Sequence, residues 1–336
     1  DNTEIKSIQK VLEKTGNSEN SLAAVGSIKS AIGHTKAAAG VLGVIKTALA
    51  LYHKVLPATI NIKEINPEII SDNSPVYINT KTRPWIYSGG KYPRRAGVNS
   101  FGFGGTNFHV AMEEFSSLSS ETVNIPKTIW SDELFLLSGN NSDEVMKKTG
   151  RLLDSIKQAK GKPLSRLALE HFRKEKDGGE YTGRVRIAIT CSSVAQLEKQ
   201  LVSAKKMVTN EDSSPLFSGL FINTDIEKNQ KKLAVLFSGQ GSQMPEMLSD
   251  LAIIFPVVRE TFETANAVLS GKLEKSLSDY IFPPPPINTL EKEANIKALT
   301  NTVIAQPALA TVEIALYKLL LLFGIKADLA AGHSFG

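Results

Sequence analysis

The residues Ala330 to Gly336 read AAGHSFG. Gly332-His333-Ser334-Phe335-Gly336 fits G-x-S-x-G, in which a serine sits on a strained turn between a buried strand and a helix, with its hydroxyl clear of the sheet. Such a hydroxyl attacks a thioester when a base takes its proton and backbone N–H groups receive the oxyanion. The pentapeptide recurs in unrelated loops, so its surroundings carry weight: a long apolar helix, a short apolar strand and small residues precede it. His34, in GSIKSAIGHTKAAAG, is the second candidate. A lone histidine at a helix start most simply caps or packs. Here Lys29 stands five residues earlier, and small residues flank the imidazole and leave room for a ligand or another chain. His53, His109 and His171 have no such setting and are read as structural or solvated.

Other motifs lose their chemistry on inspection. Gly239-Gln240-Gly241-Ser242-Gln243 follows a strand, but the third glycine of a dinucleotide fingerprint would fall on Met244. FGFGGTN lacks the lysine of a phosphate-binding loop. Cys191 is the only cysteine, which excludes an intramolecular disulfide and a zinc site of several thiolates. It ends an alternating strand, where a buried structural thiol is the simpler reading. No metal site is expected.

The elements that must position these residues fall into three segments. Residues 1–115 read as helices and strands, among them an apolar helix over 35–54 buried on several sides. Gly40 and Gly43 on its adjacent turns offset lost helix propensity by close backbone contact. Strands PVYINT, RAGVNS and FHVAMEE follow. Residues 116–127 are rich in serine and threonine and mark a boundary. Residues 116–232 then form a small α/β unit. In it, ELFLLSG is a strand, Ser142 caps a helix with Asp143 and Glu144 in its first turn, and RVRIAIT alternates. Ser193 and Gln196 form a capping box, and RKEKDGGEY is a loose charged stretch. Residues 233–336 open on the strand LAVLF and the turn SGQGSQ. FPPPP follows as a stiff surface loop, then a long apolar helix over 301–324 and the strand that feeds Ser334.

The 336 residues hold 39 Lys and Arg against 34 Asp and Glu, 42% hydrophobic and 22% charged residues. Short basic clusters without repeated interleaved aromatics give no support to nucleic-acid binding. No apolar run is read as reaching the roughly 18 residues of a membrane span. The opening DNTEIKS has neither a basic nor an apolar leader region. A cytosolic protein without membrane or nucleic-acid partners is expected.

GSIKSAIGHTKAAAG followed by NSFGFGGTNFHV resembles the C-terminal half of a β-ketoacyl synthase. FSGQGSQ, AQPA and GHSFG resemble the N-terminal part of a malonyl-type acyltransferase. The unit between them is similar to the ketosynthase–acyltransferase linker of type I synthases. The resemblance covers essentially the whole chain. FSGQGSQ, YIFPPPP, AQPA and the phenylalanine of GHSFG look most similar to the first multidomain subunit of polyunsaturated fatty acid synthases, with modular polyketide synthases as the alternative.

The implied fold is α/β: a thiolase-like layered αβαβα half-domain, a small α/β linker domain and part of an α/β-hydrolase-like acyltransferase core. By resemblance, His34 stabilises the thioester carbonyl during decarboxylation, Lys29 orders that site, and Phe103 gates it on the flexible Gly102, Gly104 and Gly105. Ser334 matches the acyltransferase nucleophile, with His333 a motif neighbour rather than its base. Backbone N–H groups of Gln240 and Phe335 match the oxyanion hole, and Gln306 lines the same pocket.

The resemblance also implies malonyl-CoA as substrate, no tightly bound cofactor, the phosphopantetheine arm of a carrier protein as acceptor, and a homodimer through the ketosynthase. It departs in one respect. The family's synthase cysteine and first histidine precede the matched region, and the acyltransferase arginine and histidine base follow the serine. None lies within the 336 residues, so this stretch alone is expected to be nearly inactive. Two rivals are a non-catalytic scaffold and, on G-x-S-x-G alone, a serine hydrolase.

Overall fold

In the computed structural model, which describes residues 2–14, 23–65, 74–89, 92–102, 104–115, 131–159, 161–177, 183–208, 218–224 and 232–336, contacts divide the chain into two units. One joins Asp1–Pro126 to Leu233–Gly336 and the other is Lys127–Lys232.

The first segment runs α1 (Asn2–Lys14), β1 (Ala23–Val25), α2 (Lys29–Ile32), a 3₁₀ turn (Lys36–Ala38), α3 (Ala39–His53), β2 (Val55–Leu56), β3 (Val76–Ile78), β4 (Arg83–Pro84), β5 (Arg95–Phe101) and β6 (Asn107–Glu113). β1 pairs parallel with β3, β2 antiparallel with β4, and β5 antiparallel with β6, Val98 opposite Val110. α3 rests on β5 through its glycines. A Cβ on Gly40 would stand 2.9 Å from Ser100 Oγ, and one on Gly43 3.0 Å from Val98 Cγ1, so the predicted close contact is present. The expected burial on several sides is not. Ala50 and Leu51 are buried, whereas Val41, Ile45, Leu49 and Tyr52 form an exposed stripe. An all-round apolar helix states a demand for partners, and within this chain β5 meets only part of it.

The unit 127–232 comprises β7 (Glu133–Gly139), α4 (Ser142–Gln158), α5 (Leu164–Asp177), β8 (Val185–Cys191), α6 (Val194–Val208) and β9 (Leu220–Asn223). β8 lies between β7 and β9, antiparallel to both. Val185, Ile187, Ile189 and Cys191 turn alternately into a core with Phe135, Leu137, Leu197 and Leu201. Three local expectations shift. Asn141, not Ser142, caps α4, accepting the Glu144 N–H at 2.9 Å from an extended backbone that Ser142, already helical, cannot adopt. Residues 173–177 continue α5, a helix whose apolar face includes the buried Leu167, Ala168 and His171; residues 178–182 lie outside the described ones. The box at α6 is half made: Ser193 Oγ accepts the Gln196 N–H, while Gln196 Oε1 accepts from Ser192.

The last segment holds β10 (Ala234–Phe237), α7 (Ser249–Ile254), α8 (Pro256–Leu269), α9 (Leu277–Ile281), α10 (Thr289–Thr300), α11 (Thr302–Leu322) and β11 (Leu329–Gly332). β10 and β11 are parallel neighbours, Phe237 opposite Gly332. The proline run does not simply lie on the surface. Phe282 is buried edge-on against Phe262, 5.0 Å between centroids, because α8 and α9 supply an apolar seat for its ring. α11 also corrects the reading of apolar runs, since its 21 residues are long and apolar enough to cross a membrane. A core helix passes the same test, and Ile304, Ala308, Val312, Ala315 and Leu319 are buried in one cluster with residues of α8, α9 and α10.

A polar joint ties the two segments of this unit. Arg94, with a side chain 3% exposed, donates to the Trp85 carbonyl at 2.7 Å, to both oxygens of Glu114 at 3.0 and 2.8 Å, and to Glu263 on α8. Arg83 donates to the Tyr77 hydroxyl at 2.6 Å and to the Phe282 carbonyl, and Asn266 on α8 donates to the Tyr87 carbonyl at 2.9 Å.

Candidate active site

β11 delivers the chain into a tight turn at its end, and the conformation there is unusual. Ser334 has φ 59, in the left-handed region. A non-glycine residue held there costs about 1–3 kcal/mol and persists only where its surroundings fix it. Glycines provide that fixing by close approach. A Cβ on Gly332 would fall 1.8 Å from the Gly336 carbonyl oxygen, and one on Gly336 2.4 Å from the Phe237 carbonyl oxygen. The His333 N–H donates to the Phe237 carbonyl at 3.1 Å, and the Gly336 N–H to the His333 carbonyl at 3.0 Å. The strained serine that the motif predicts is therefore present, and Ser334 is exposed.

The turn after β10 abuts this elbow. A Cβ on Gly239 would stand 2.6 Å from the His333 carbonyl oxygen and 2.9 Å from Ser334 Cβ. Gln240, the next residue, is held by its side chain, whose Nε2 donates to Thr302 Oγ1 at 2.9 Å. Gln243 Oε1 accepts the Gly241 N–H at 2.8 Å, and Glu313 Oε1 accepts the Ser238 N–H at 2.6 Å and its hydroxyl at 2.8 Å. Gln240, Ser334 and Phe335 thus lie on two adjoining turns at the ends of paired parallel strands. Gln306 is half-buried on α11, one turn after Thr302. Sequence reasoning missed Glu313 and Thr302. A signal for them existed: at 100° per residue, positions 302, 306, 313 and 317 fall within about 60° of one another on the helix.

The second site lies in a loop between β1 and α3. Gly33 has φ 75, and after it His34 Nδ1 accepts the Lys36 N–H at 2.9 Å. That bond occupies the acceptor nitrogen, so the neutral ring carries its proton on Nε2. His34 is exposed, as is Lys29 in the first turn of α2. Asn61 steadies the segment by donating to the Ser30 carbonyl at 2.8 Å. Lys46, half-buried on α3, is a lysine that the motifs did not single out; burial pushes its ammonium below the ordinary lysine range. Gly104 and Gly105 are exposed in the turn between β5 and β6, Gly105 with φ 85. Phe103 lies outside the described residues.

Cys191 is fully buried, its Sγ 4.0 Å from the Glu133 carbonyl oxygen. Burial, with Asp132 and Glu133 nearby, pushes its thiol up to about 11. It fits the structural reading rather than a nucleophile. His171 is likewise structural, its Nε2 2.7 Å from the Leu136 carbonyl oxygen and its ring 5.7 Å from Phe135. Among the described residues, no group of three or more His, Cys, Asp or Glu could hold a metal ion.

Residues 1–63 match the β-ketoacyl synthase C-terminal domain family, residues 66–183 the ketoacyl-synthetase C-terminal extension, and residues 235–336 the acyl transferase domain. The chain is 32% identical over 319 residues to naringenin synthase of Pestalotiopsis fici, covering 93% of this chain and 11% of that protein. It is 30% identical over 358 residues to a polyunsaturated fatty acid synthase polypeptide of Thraustochytrium sp., covering 100% and 12%. It therefore spans about a tenth of the length of these relatives. The acyl transferase domain of ZmaA shares the fold, with a TM-score of 0.50 at 22% identity over 63% of this chain and 44% of that one. Three matched segments in this order place the chain in the type I polyketide and polyunsaturated fatty acid synthase family, as a stretch from the β-ketoacyl synthase C-terminal domain through its extension to the acyl transferase domain.

Proposed function

We propose that Ser334 is the nucleophile of a malonyl transfer and that His34 serves the condensation that consumes the malonyl unit. In the first reaction Ser334 Oγ bonds to the thioester carbonyl carbon of malonyl-CoA and its proton passes to a general base. The C–S bond breaks and coenzyme A leaves as the thiol. The Gln240 and Phe335 N–H groups receive the carbonyl oxygen as it becomes negative. The acyl group then moves from Ser334 to the phosphopantetheine thiol of a carrier protein.

In the second reaction the malonyl thioester loses carbon dioxide, and the enolate carbon attacks the carbonyl carbon of an acyl thioester, whose C–S bond breaks as its thiol leaves. A proton on His34 Nε2 suits donation to the carbonyl oxygen on which the enolate charge collects. Lys29 acts as an ordering cation, and Phe103 serves as the gating residue. The bare stripe of α3 is covered by the rest of the ketosynthase, which also supplies the dimer. The YIFPPPP motif and the alignment with the Thraustochytrium polyunsaturated fatty acid synthase over the whole chain support an unsaturated fatty acyl product; polyketide synthases are the neighbouring reading.

The observation that carries this function is the left-handed Ser334 clamped between Gly332, Gly336 and Gly239. The test is incubation of the full-length polypeptide with labelled malonyl-CoA and mapping of acylated peptides. Label on Ser334 that vanishes in Ser334→Ala, and that chases onto a carrier protein, is expected. Absence of label would favour a scaffold, and release of free malonate without transfer a hydrolase.

A further inference from the structure

The proposed chemistry gives Gln240 a backbone donor but says nothing of what fixes that donor. The turn over 238–243 has no regular structure of its own, and its Gly239 is packed so closely on His333 and Ser334 that a methyl group would not fit. A displacement of the turn therefore reaches the serine without slack. Two side chains of α11 hold it. Thr302 takes the Gln240 side chain, and Glu313, three turns further along, takes both polar groups of Ser238, the first residue after β10. Tyr317, one turn beyond Glu313, packs its ring edge-on to Phe237 with centroids 6.4 Å apart. The anchors share one stripe of the helix with Gln306, so α11 acts as a rail along which the first half of the turn is pinned at two points.

We propose that Glu313 is a positioning residue for acyl transfer. By accepting the Ser238 N–H and hydroxyl together, it fixes the point at which the chain leaves β10. It thereby sets the distance between the Gln240 N–H and the carbonyl oxygen that becomes negative when Ser334 attacks. Glu313 touches neither substrate nor the reacting atoms. A displacement of about 1 Å in such a site costs on the order of 10²-fold in rate, and loss of an oxyanion donor about 10²–10³-fold. This inference rests on the reading of Ser334 as the nucleophile.

The experiment is single-turnover acylation of the full-length polypeptide by labelled malonyl-CoA, with Ser334→Ala as a control. Glu313→Ala should lower the acylation rate constant by ~10–100-fold and leave the half-saturating malonyl-CoA concentration within about twofold. Glu313→Gln, which keeps the accepting oxygen, should restore at least a third of the wild-type rate. Ser238→Ala, which removes one of the two bonds and leaves α11 intact, should fall between them. An unchanged rate in folded Glu313→Ala would overturn the proposal, as would a loss that Glu313→Gln does not rescue. Where Glu313→Ala does not fold, wild-type rates in Ser238→Ala would overturn it. Absence of label in the wild-type chain would instead sink the nucleophile reading itself.

Discussion

β8 and β11 both carry apolar residues into a sheet, yet they meet opposite fates. In β8 every second residue from Val185 to Cys191 is buried, because β7, β9, α4 and α6 bring their own side chains to it. In β11 all four residues are exposed, and its neighbour β10 leaves Leu236 77% exposed. The linker unit closes its core with what it contains. The site-bearing unit also buries an apolar cluster, over α7–α11, but it holds its sites with glycine contacts, side-chain anchors on a loop and a buried ion cluster, and it leaves apolar faces open on α3 and β10–β11. Apolarity in a strand states what burial would gain; neighbours decide whether it is realised.

The ion cluster gives the largest expected effect. Arg94→Met leaves Glu114 and Glu263 without their shared cation and should cost about 3–5 kcal/mol in the unfolding of the site-bearing unit. Denaturant titration of residues 1–336 checks it, and a transition unchanged within about 0.5 kcal/mol would show that apolar packing, not the joint, holds that unit.

The contrast between the strands can be broken directly. Ile187→Ala in β8 should cost about 2–5 kcal/mol, whereas Leu236→Ala in β10 should stay within about 0.5 kcal/mol, by the same titration. Equal losses would mean that β10 is covered in solution.

Capping is next in size. Asn141→Ala should destabilise the linker unit by about 1 kcal/mol and Ser142→Ala by less than half of that, read from its thermal midpoint. The reverse order would return the cap to Ser142.

The linker's buried titrating groups sharpen the comparison at both ends of the pH scale. Burial lowers the His171 imidazole below its ordinary value, so the folded state resists a proton that the unfolded chain accepts. Stability of the linker unit should therefore fall as pH drops below about 6.5, and His171→Phe should flatten that slope. Cys191 acts in the other direction. With its thiol raised to about 11, the unfolded chain loses its proton first, and stability should decline as pH rises from about 9 towards that value. Thermal midpoints across pH in wild type and Cys191→Ala measure the difference.

Much of this was legible in the residues because it depends on local chemistry. The alternation of Val185, Ile187 and Ile189 announces one buried face, and Gly40 and Gly43 announce a close helix contact. G-x-S-x-G announces a turn that only small flanking residues permit, and the φ of Ser334 accords with it. The cap of α4 was misplaced by one residue because Asn141 and Ser142 are both good caps, and only backbone dihedrals choose between them. The extent of α5 and the seat of Phe282 escaped for a different reason: charge and proline content describe a segment's surface, not the partner it packs against.

Sequence by itself determined the types and spacings of groups: a serine between glycines, a histidine beside small residues, an arginine in KYPRR and helices of stated polarity. Tertiary structure alone decided which of them meet. Glu313 reaches Ser238 across 75 positions of chain, and Arg94 reaches Glu263 across 169. No local pattern encodes such pairings, because each depends on the packing of whole helices against strands, and the free energy of that packing is summed over many side chains rather than carried by the two that touch.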